Sequence, residues 1–164
     1  MMDLKGSTFY VNYKNKRFQI NTNLIGNFNI SNILASILIC KNIGLKMKKI
    51  INSINNFKSV SGRCEFYTKK NGGIIIIDYA HTPDAFEKIL STIKNINSKK
   101  QIITLFGCGG NRDKSKRSIM GEISDKYSNS QVTSDCHEPP SQFTSYRIND
   151  PGSDHVTVIF CATS

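Results

Sequence analysis

Two apolar runs, "IIII" at 74–77 and "IITLF" at 102–106 with Thr104 as its one hydroxyl, constrain this chain more than any other feature. Such a run has no face to offer water, so as a strand it must be covered on both sides. Each is followed by a helical period, "PDAFEKILSTIKNIN" after the first and "DKSKRSIMGEISDKYS" after the second, and then comes a further strand, "SQVTSD". "RCEFYTK" reads as a strand ahead of them. Strands alternating with helices of this length predict right-handed βαβ units, a parallel sheet and an α/β fold.

The first third has a different grammar. Residues 8–20 alternate apolar and polar positions around Lys-Asn-Lys and predict a β-hairpin. Ile30, Ile33, Leu34, Ile37 and Leu38 then recur at helical spacing up to Gly44, and "KMKKIINSINNF" predicts a second, shorter helix. One hairpin and two helices bury little by themselves, so this part reads as the end of another domain. The expected organisation is a remnant at 1–61, the front of an α/β domain at 62–135, and a poorly ordered tail at 136–164. That tail holds three of the four prolines, and only "HVTVIFCA" within it could form a strand.

Composition narrows the classes. With 164 residues, 38% hydrophobic and 21% charged, the chain reads as a soluble globular protein with room for about one ordinary domain. No apolar stretch has the roughly 18–20 residues of a membrane span, and the start lacks a secretory layout, so a cytoplasmic location is expected. Five cysteines without a Cys-x-x-Cys pair indicate free structural thiols, neither a disulfide framework nor a metal site. The net charge of +10 admits a polyanionic partner, yet the lysines are scattered through an Asn- and Ile-rich background, which disfavours nucleic acid.

Ligands of an open parallel sheet bind where the strands end. That rule selects Asp78 and His81 after "IIII", and "GCGGNRDK" at 107–114 after the second run. Thr82 can cap a helix that starts at Pro83, with Asp84 at its positive end. The glycine-rich stretch is neither a dinucleotide fingerprint nor a Walker loop, although its N–H groups could cradle an anion. Arg112 could grip a carboxylate with two hydrogen bonds, whereas Lys114 and Lys116 read as solvated helix surface.

Taken together, "LIGNFNISNILASI", "SGRCEF", "IIDYAHTPDAFEKIL", "FGCGGNRDKSKRSIMGEISDKYS" and "TSD" resemble the Mur ligases in order and spacing, and most of all the MurE type, the UDP-N-acetylmuramoyl-tripeptide synthetases. The resemblance runs from about residue 5 to 135. It implies an ATP- and Mg2+-dependent enzyme of peptidoglycan synthesis, and so of cell-wall biogenesis, cell shape and division. Its members add meso-diaminopimelate or lysine to UDP-N-acetylmuramoyl-L-alanyl-D-glutamate through an acyl phosphate. It further implies a Rossmann-like C-terminal domain, here with an incomplete parallel sheet, preceded by the end of a central ATPase domain. By the same resemblance Asn29, Asn32, Arg63, Asp78 and His81 are nucleotide-binding, while Arg112 and Asp135 receive the incoming amino acid. No general base is among them.

Two departures shape the expectation. The "G-T-N-G-K-T" loop, the carboxylate and the carbamylated lysine that serve ATP and Mg2+ in the family are absent, which leaves the charge of acyl-phosphate formation unsupported. Where a diaminopimelate-adding member reads "D-N-P-R", this chain reads "DCHE" from Asp135 to Glu138. A fragment inactive alone is expected, with a separate chain as a possible source of the other domains. The alternatives are a non-catalytic basic module for nucleotides or nucleic acid, and an unstable product without function.

Overall fold

A computed structural model describes residues 1–70, 72–97, 99–107, 115–134 and 155–160. The chain divides into two compact units, Met1–Ser59 and Val60–Ser164. The division falls two positions before the boundary expected from sequence. Among the described residues no helix is long and apolar enough to cross a membrane.

In the first unit β1 (Met2–Asp3), β2 (Gly6–Tyr13) and β3 (Lys16–Thr22) form an antiparallel sheet, followed by α1 (Asn27–Asn42) and α2 (Met47–Asn56). The β2–β3 turn is two residues, Lys14 and Asn15, both with positive φ (48° and 59°), the conformation that matches the twist of a tight hairpin. Ile20, Ile33, Ile37, Met47 and Ile50 make the core. Leu34 and Leu38, which share the helical spacing of Ile33 and Ile37, are 38% and 60% exposed. The reason is that apolar and polar residues are interleaved around the whole of α1, so its sequence does not single out one face. Leu34, Leu38, Ile39 and Ile43 are left as an apolar surface.

The second unit is a five-stranded sheet in the order β4 (Glu65–Thr68), β5 (Ile74–Asp78), β8 (His155–Phe160), β6 (Gln101–Gly107), β7 (Ser130–Ser134). Helices α3 (Pro83–Ile96) and α4 (Ser115–Tyr127) are the crossovers after β5 and β6. The α/β class follows as expected. At the edge the sheet is mixed, because β4 pairs antiparallel with β5, and a connection of only a few residues permits no other direction.

The larger departure concerns the tail. Residues 155–160 are the middle strand of the sheet, parallel to β5 on one side and β6 on the other. Val156 and Val158 are 0% exposed and Phe160 2%, and the Phe160 ring lies 4.3 Å from that of Phe86 on α3, which also meets Phe106 at 5.0 Å. A poorly ordered tail therefore does not describe this stretch. Its apolar run was visible, but the place it fills depends on two strands more than 50 positions earlier in the chain. Residues 136–154 lie outside the described residues.

Candidate functional site at the strand ends

Because β5, β8, β6 and β7 are parallel, they finish together: Asp78 pairs with Phe160, Phe160 with Phe106, and Gly107 with Ser134. The expected ligand edge is thus assembled from four strands. Arg112 and Asp135 follow β6 and β7 in the chain but lie outside the described residues.

Three expected residues can be placed around the end of β5. The turn at 60–64 folds back on it: Tyr79 N–H donates to the Gly62 carbonyl (2.9 Å) and Arg63 N–H to the Val60 carbonyl (3.0 Å). Arg63 is exposed, its guanidinium carbon 5.9 Å from the Tyr79 ring centroid. This is a loose cation–π approach that leaves its N–H fork available in geometry to a phosphate or carboxylate. His81 is also exposed, and its Nδ1–H donates to the Tyr79 carbonyl at 3.1 Å, which puts the lone pair of the neutral ring on Nε2.

Asp78 is turned the other way. It is 5% exposed, and its two oxygens accept backbone N–H groups, Oδ2 from Cys64 (2.8 Å) and Oδ1 from Ala80 (2.7 Å). Strand-end position was legible in the sequence; the inward direction of the carboxylate was not. The Cys64 thiol beside it is pushed up far beyond the usual range, first by burial and then by the Asp78 carboxylate, so it stays protonated and is no nucleophile.

Sequence reasoning passed over Glu65. Its Oε2 accepts from Gly62 N–H (2.9 Å) and the Ser61 hydroxyl (3.3 Å), and its Oε1 from the Tyr67 hydroxyl (2.7 Å). These bonds, Gly62 N–H foremost and then Tyr67, hold its carboxyl below the usual carboxylate range. A glutamate three residues after Gly62 is the spacing at which such a side chain reaches back to a backbone N–H, and that was the available signal.

The helix start behaves as expected. Thr82 Oγ1 accepts from Ala85 N–H at 3.3 Å with Pro83 in the first turn, and exposed Asp84 pairs with Lys88 at 2.8 Å. In the first unit Asn29 Nδ2 donates to the Ile25 carbonyl at 2.8 Å and Asn32 Nδ2 reaches Asn29 Oδ1 at 3.5 Å. These two asparagines thus form a local pair on α1, on a different unit from Arg63, Asp78 and His81.

The family model for the Mur ligase glutamate ligase domain matches residues 62–159. The chain belongs to the Mur ligase family. The match continues through the stretch after Asp135 that the sequence reading had placed outside the family, in line with the central position of β8. A curated relative from Rickettsia conorii, named UDP-N-acetylmuramoyl-L-alanyl-D-glutamate--2,6-diaminopimelate ligase, is 41% identical over 141 residues, covering 84% of this chain and 29% of its own length. One of the same name from Wigglesworthia glossinidia brevipalpis is 45% identical over 132 residues, 80% of this chain and 26% of that protein. This ligase-family chain therefore spans less than a third of the curated relatives it matches.

A solved structure of a ligase of the same name superposes with a TM-score of 0.62 at 25% identity, over 97% of this chain and 38% of that one. The UDP-N-acetylmuramate-alanine ligase MurC of Thermotoga maritima gives 0.73 at 18% identity, over 99% and 41%, a likeness of fold alone.

Proposed function

We propose that this chain is the nucleotide-closing and amino-acid-receiving part of a MurE-type ligase, acting in the cytoplasm in peptidoglycan synthesis. The parent reaction adds meso-diaminopimelate, or lysine, to UDP-N-acetylmuramoyl-L-alanyl-D-glutamate at the expense of ATP. The observation that carries the reading is the convergence of exposed Arg63 and His81 on the edge where four parallel strands end, in a chain whose relatives bear that name. Arg63 offers a planar fork to phosphate oxygens, and His81 donates from Nε2 when its ring carries both protons. Arg112 and Asp135 are assigned to the amino acid, and Asn29 and Asn32 to the nucleotide from the first unit.

Magnesium would neutralise phosphate charge in the parent enzyme. The described acids at this edge do not fit it, since Asp78 and Glu65 are filled by backbone and hydroxyl donors. This chain alone is expected to form no peptide bond. Residues 1–61 are assigned to the end of the central domain. The apolar surface of Leu34, Leu38, Ile39 and Ile43 is where the rest of that domain, on the same or a separate chain, would pack.

The test is to titrate ATP into the 15N-labelled chain, then add the part of the Rickettsia conorii relative that this chain does not match. Shifts at Arg63, Tyr79 and His81, with ligation only in the mixture and only with diaminopimelate or lysine, are expected. Shifts elsewhere with no ligation would remove the reading.

A second reading has its own observation. The first unit carries nine lysines and arginines against one acid, Asp3, a net +8. On the hairpin Arg17 stacks on Tyr10 at 3.8 Å, and Lys14 and Lys41 lie 5.7 and 5.4 Å from the Tyr13 ring. Basic and aromatic groups so interleaved suit a single-stranded nucleic acid. Oligonucleotide binding that weakens steeply with salt would support it, and no binding at low salt would end it.

A further inference from the structure

The turn that carries Arg63 is held from both sides by carboxylates. Three successive backbone donors all have partners: Gly62 N–H on Glu65 Oε2 (2.9 Å), Arg63 N–H on the Val60 carbonyl (3.0 Å), and Cys64 N–H on Asp78 Oδ2 (2.8 Å). Two residues of the turn have positive φ, Gly62 at 66° and Cys64 at 46°. Consecutive N–H groups in such a turn are ordinarily an anion-binding concavity. Here two of the acceptors are the protein's own carboxylates and the third is a backbone carbonyl, so these N–H groups have nothing left for a phosphate, and the cation the turn exposes is the Arg63 side chain.

We propose that Glu65 and Asp78 are positioning residues that clamp the neighbours of Arg63, so that its guanidinium is presented to the nucleotide already ordered beside Tyr79. The nucleotide contact rests on the function proposed above; the clamp does not. Each carboxylate is tied into the surrounding structure, Glu65 through Tyr67 and Ser61, and Asp78 through Ala80 at the start of the β5–α3 connection. The Cys64 backbone, on the left-handed side for a residue with a Cβ, is kept there by the charged acceptor it donates to. Ordering Arg63 before the ligand arrives removes the entropy cost of fixing a long side chain at binding.

Two readouts on the full chain separate the claims. The first is the 15N–1H heteronuclear NOE of the Arg63 Nε–H, assigned by its loss in Arg63→Ala. The second is the Kd for ATP with Mg2+. Glu65→Ala is expected to drop the NOE to that of a mobile side chain and weaken ATP roughly fivefold, with Glu65→Gln intermediate and cooperative unfolding retained at a modestly lower melting temperature. Asp78→Asn should act the same way, and because it is buried, Glu65→Ala decides if it fails to fold. An Arg63 NOE unchanged in Glu65→Ala overturns the clamp. If the NOE falls in Glu65→Ala but Arg63→Ala leaves ATP binding untouched, the clamp stands and the nucleotide reading fails. If Arg63→Ala weakens ATP and Glu65→Ala frees the side chain without weakening it, ordering Arg63 serves no binding purpose and the proposal falls.

Discussion

Gly62 and Tyr79 are packed so closely that a Cβ on the glycine would overlap Cε2 and Cδ2 of the ring. The same glycine has φ +66° and accepts the Tyr79 N–H through its carbonyl. Gly62→Ala therefore meets strain twice, in its own backbone and against the ring. A loss of about 2–4 kcal/mol in unfolding free energy is expected. Urea unfolding followed by tyrosine fluorescence would measure it, and a loss below the cost of an ordinary surface change would contradict this packing.

The middle strand should be the part the second unit tolerates losing least. Phe160→Ala removes a ring that touches Phe86 and is expected to cost about 3–5 kcal/mol, and Val158→Asp, which puts a charge at a position 0% exposed, to abolish cooperative unfolding. Calorimetry on both variants decides the matter. A mild effect from each would restore the picture of a poorly ordered tail.

Acid should loosen the second unit through two carboxylates. Glu65 is held low by Gly62 N–H and Tyr67, and Glu87 on α3 by Lys126 and then Tyr127 of α4, each 2.9 Å away. A depressed carboxyl contributes stability above its unfolded value, near 4.5, and loses it as pH falls through the folded value. The Lys126 ammonium, raised to about 12 chiefly by Glu87, contributes below 10.5 and loses its share only as pH approaches that upper value. Melting temperature is thus expected to be flat from neutral pH down to about 5 and to fall below it. In Glu87→Gln that acid limb should be shallower, with the change small because the pair is exposed and screened.

Thiol chemistry offers a separate check. Cys64 is 3% exposed with its thiol pushed up, whereas Cys40 is half-buried. Iodoacetamide at pH 8 followed by peptide mapping should mark Cys40 in the folded chain and Cys64 only after unfolding. Early labelling of Cys64 would mean the turn opens on its own.

The two faces of α1 should respond oppositely. Ile37→Ala, at 3% exposure, is expected to cost about 2–5 kcal/mol, and Leu38→Gln, at 60%, less than about 0.5 kcal/mol. If the exposed face packs against the rest of a central domain, Leu38→Gln should instead reduce ligation in the reconstituted mixture described above.

What could be read from sequence follows a physical line. Local signals survived translation into structure: the hairpin, the Thr82 cap, and the apolar runs of β5 and β6. Signals that depend on distant neighbours did not. Leu34 and Ile33 are equally apolar, and only packing against Ile20, Met47 and Ile50 decides which is buried. "HVTVIF" is a plausible strand anywhere, and its slot exists only because β5 and β6 leave one strand's width between them. At the candidate site, strand-end position selected His81 and the family resemblance Arg63, and both side chains are exposed near the end of β5. The direction of Asp78 and the part of Glu65 depend on how one short turn closes, which the residue types alone do not fix.

The late arrival of β8 also sets a schedule for the ribosome. Chain growth delivers β4, β5, β6 and β7 first, and for about 20 further residues the facing edges of β5 and β6 have no strand between them. Two of the most apolar segments in the chain then wait with open ladders, the condition in which nascent chains pair with one another. Closure of this sheet therefore waits on the segment that follows β7, a non-local pairing of the kind that slows folding.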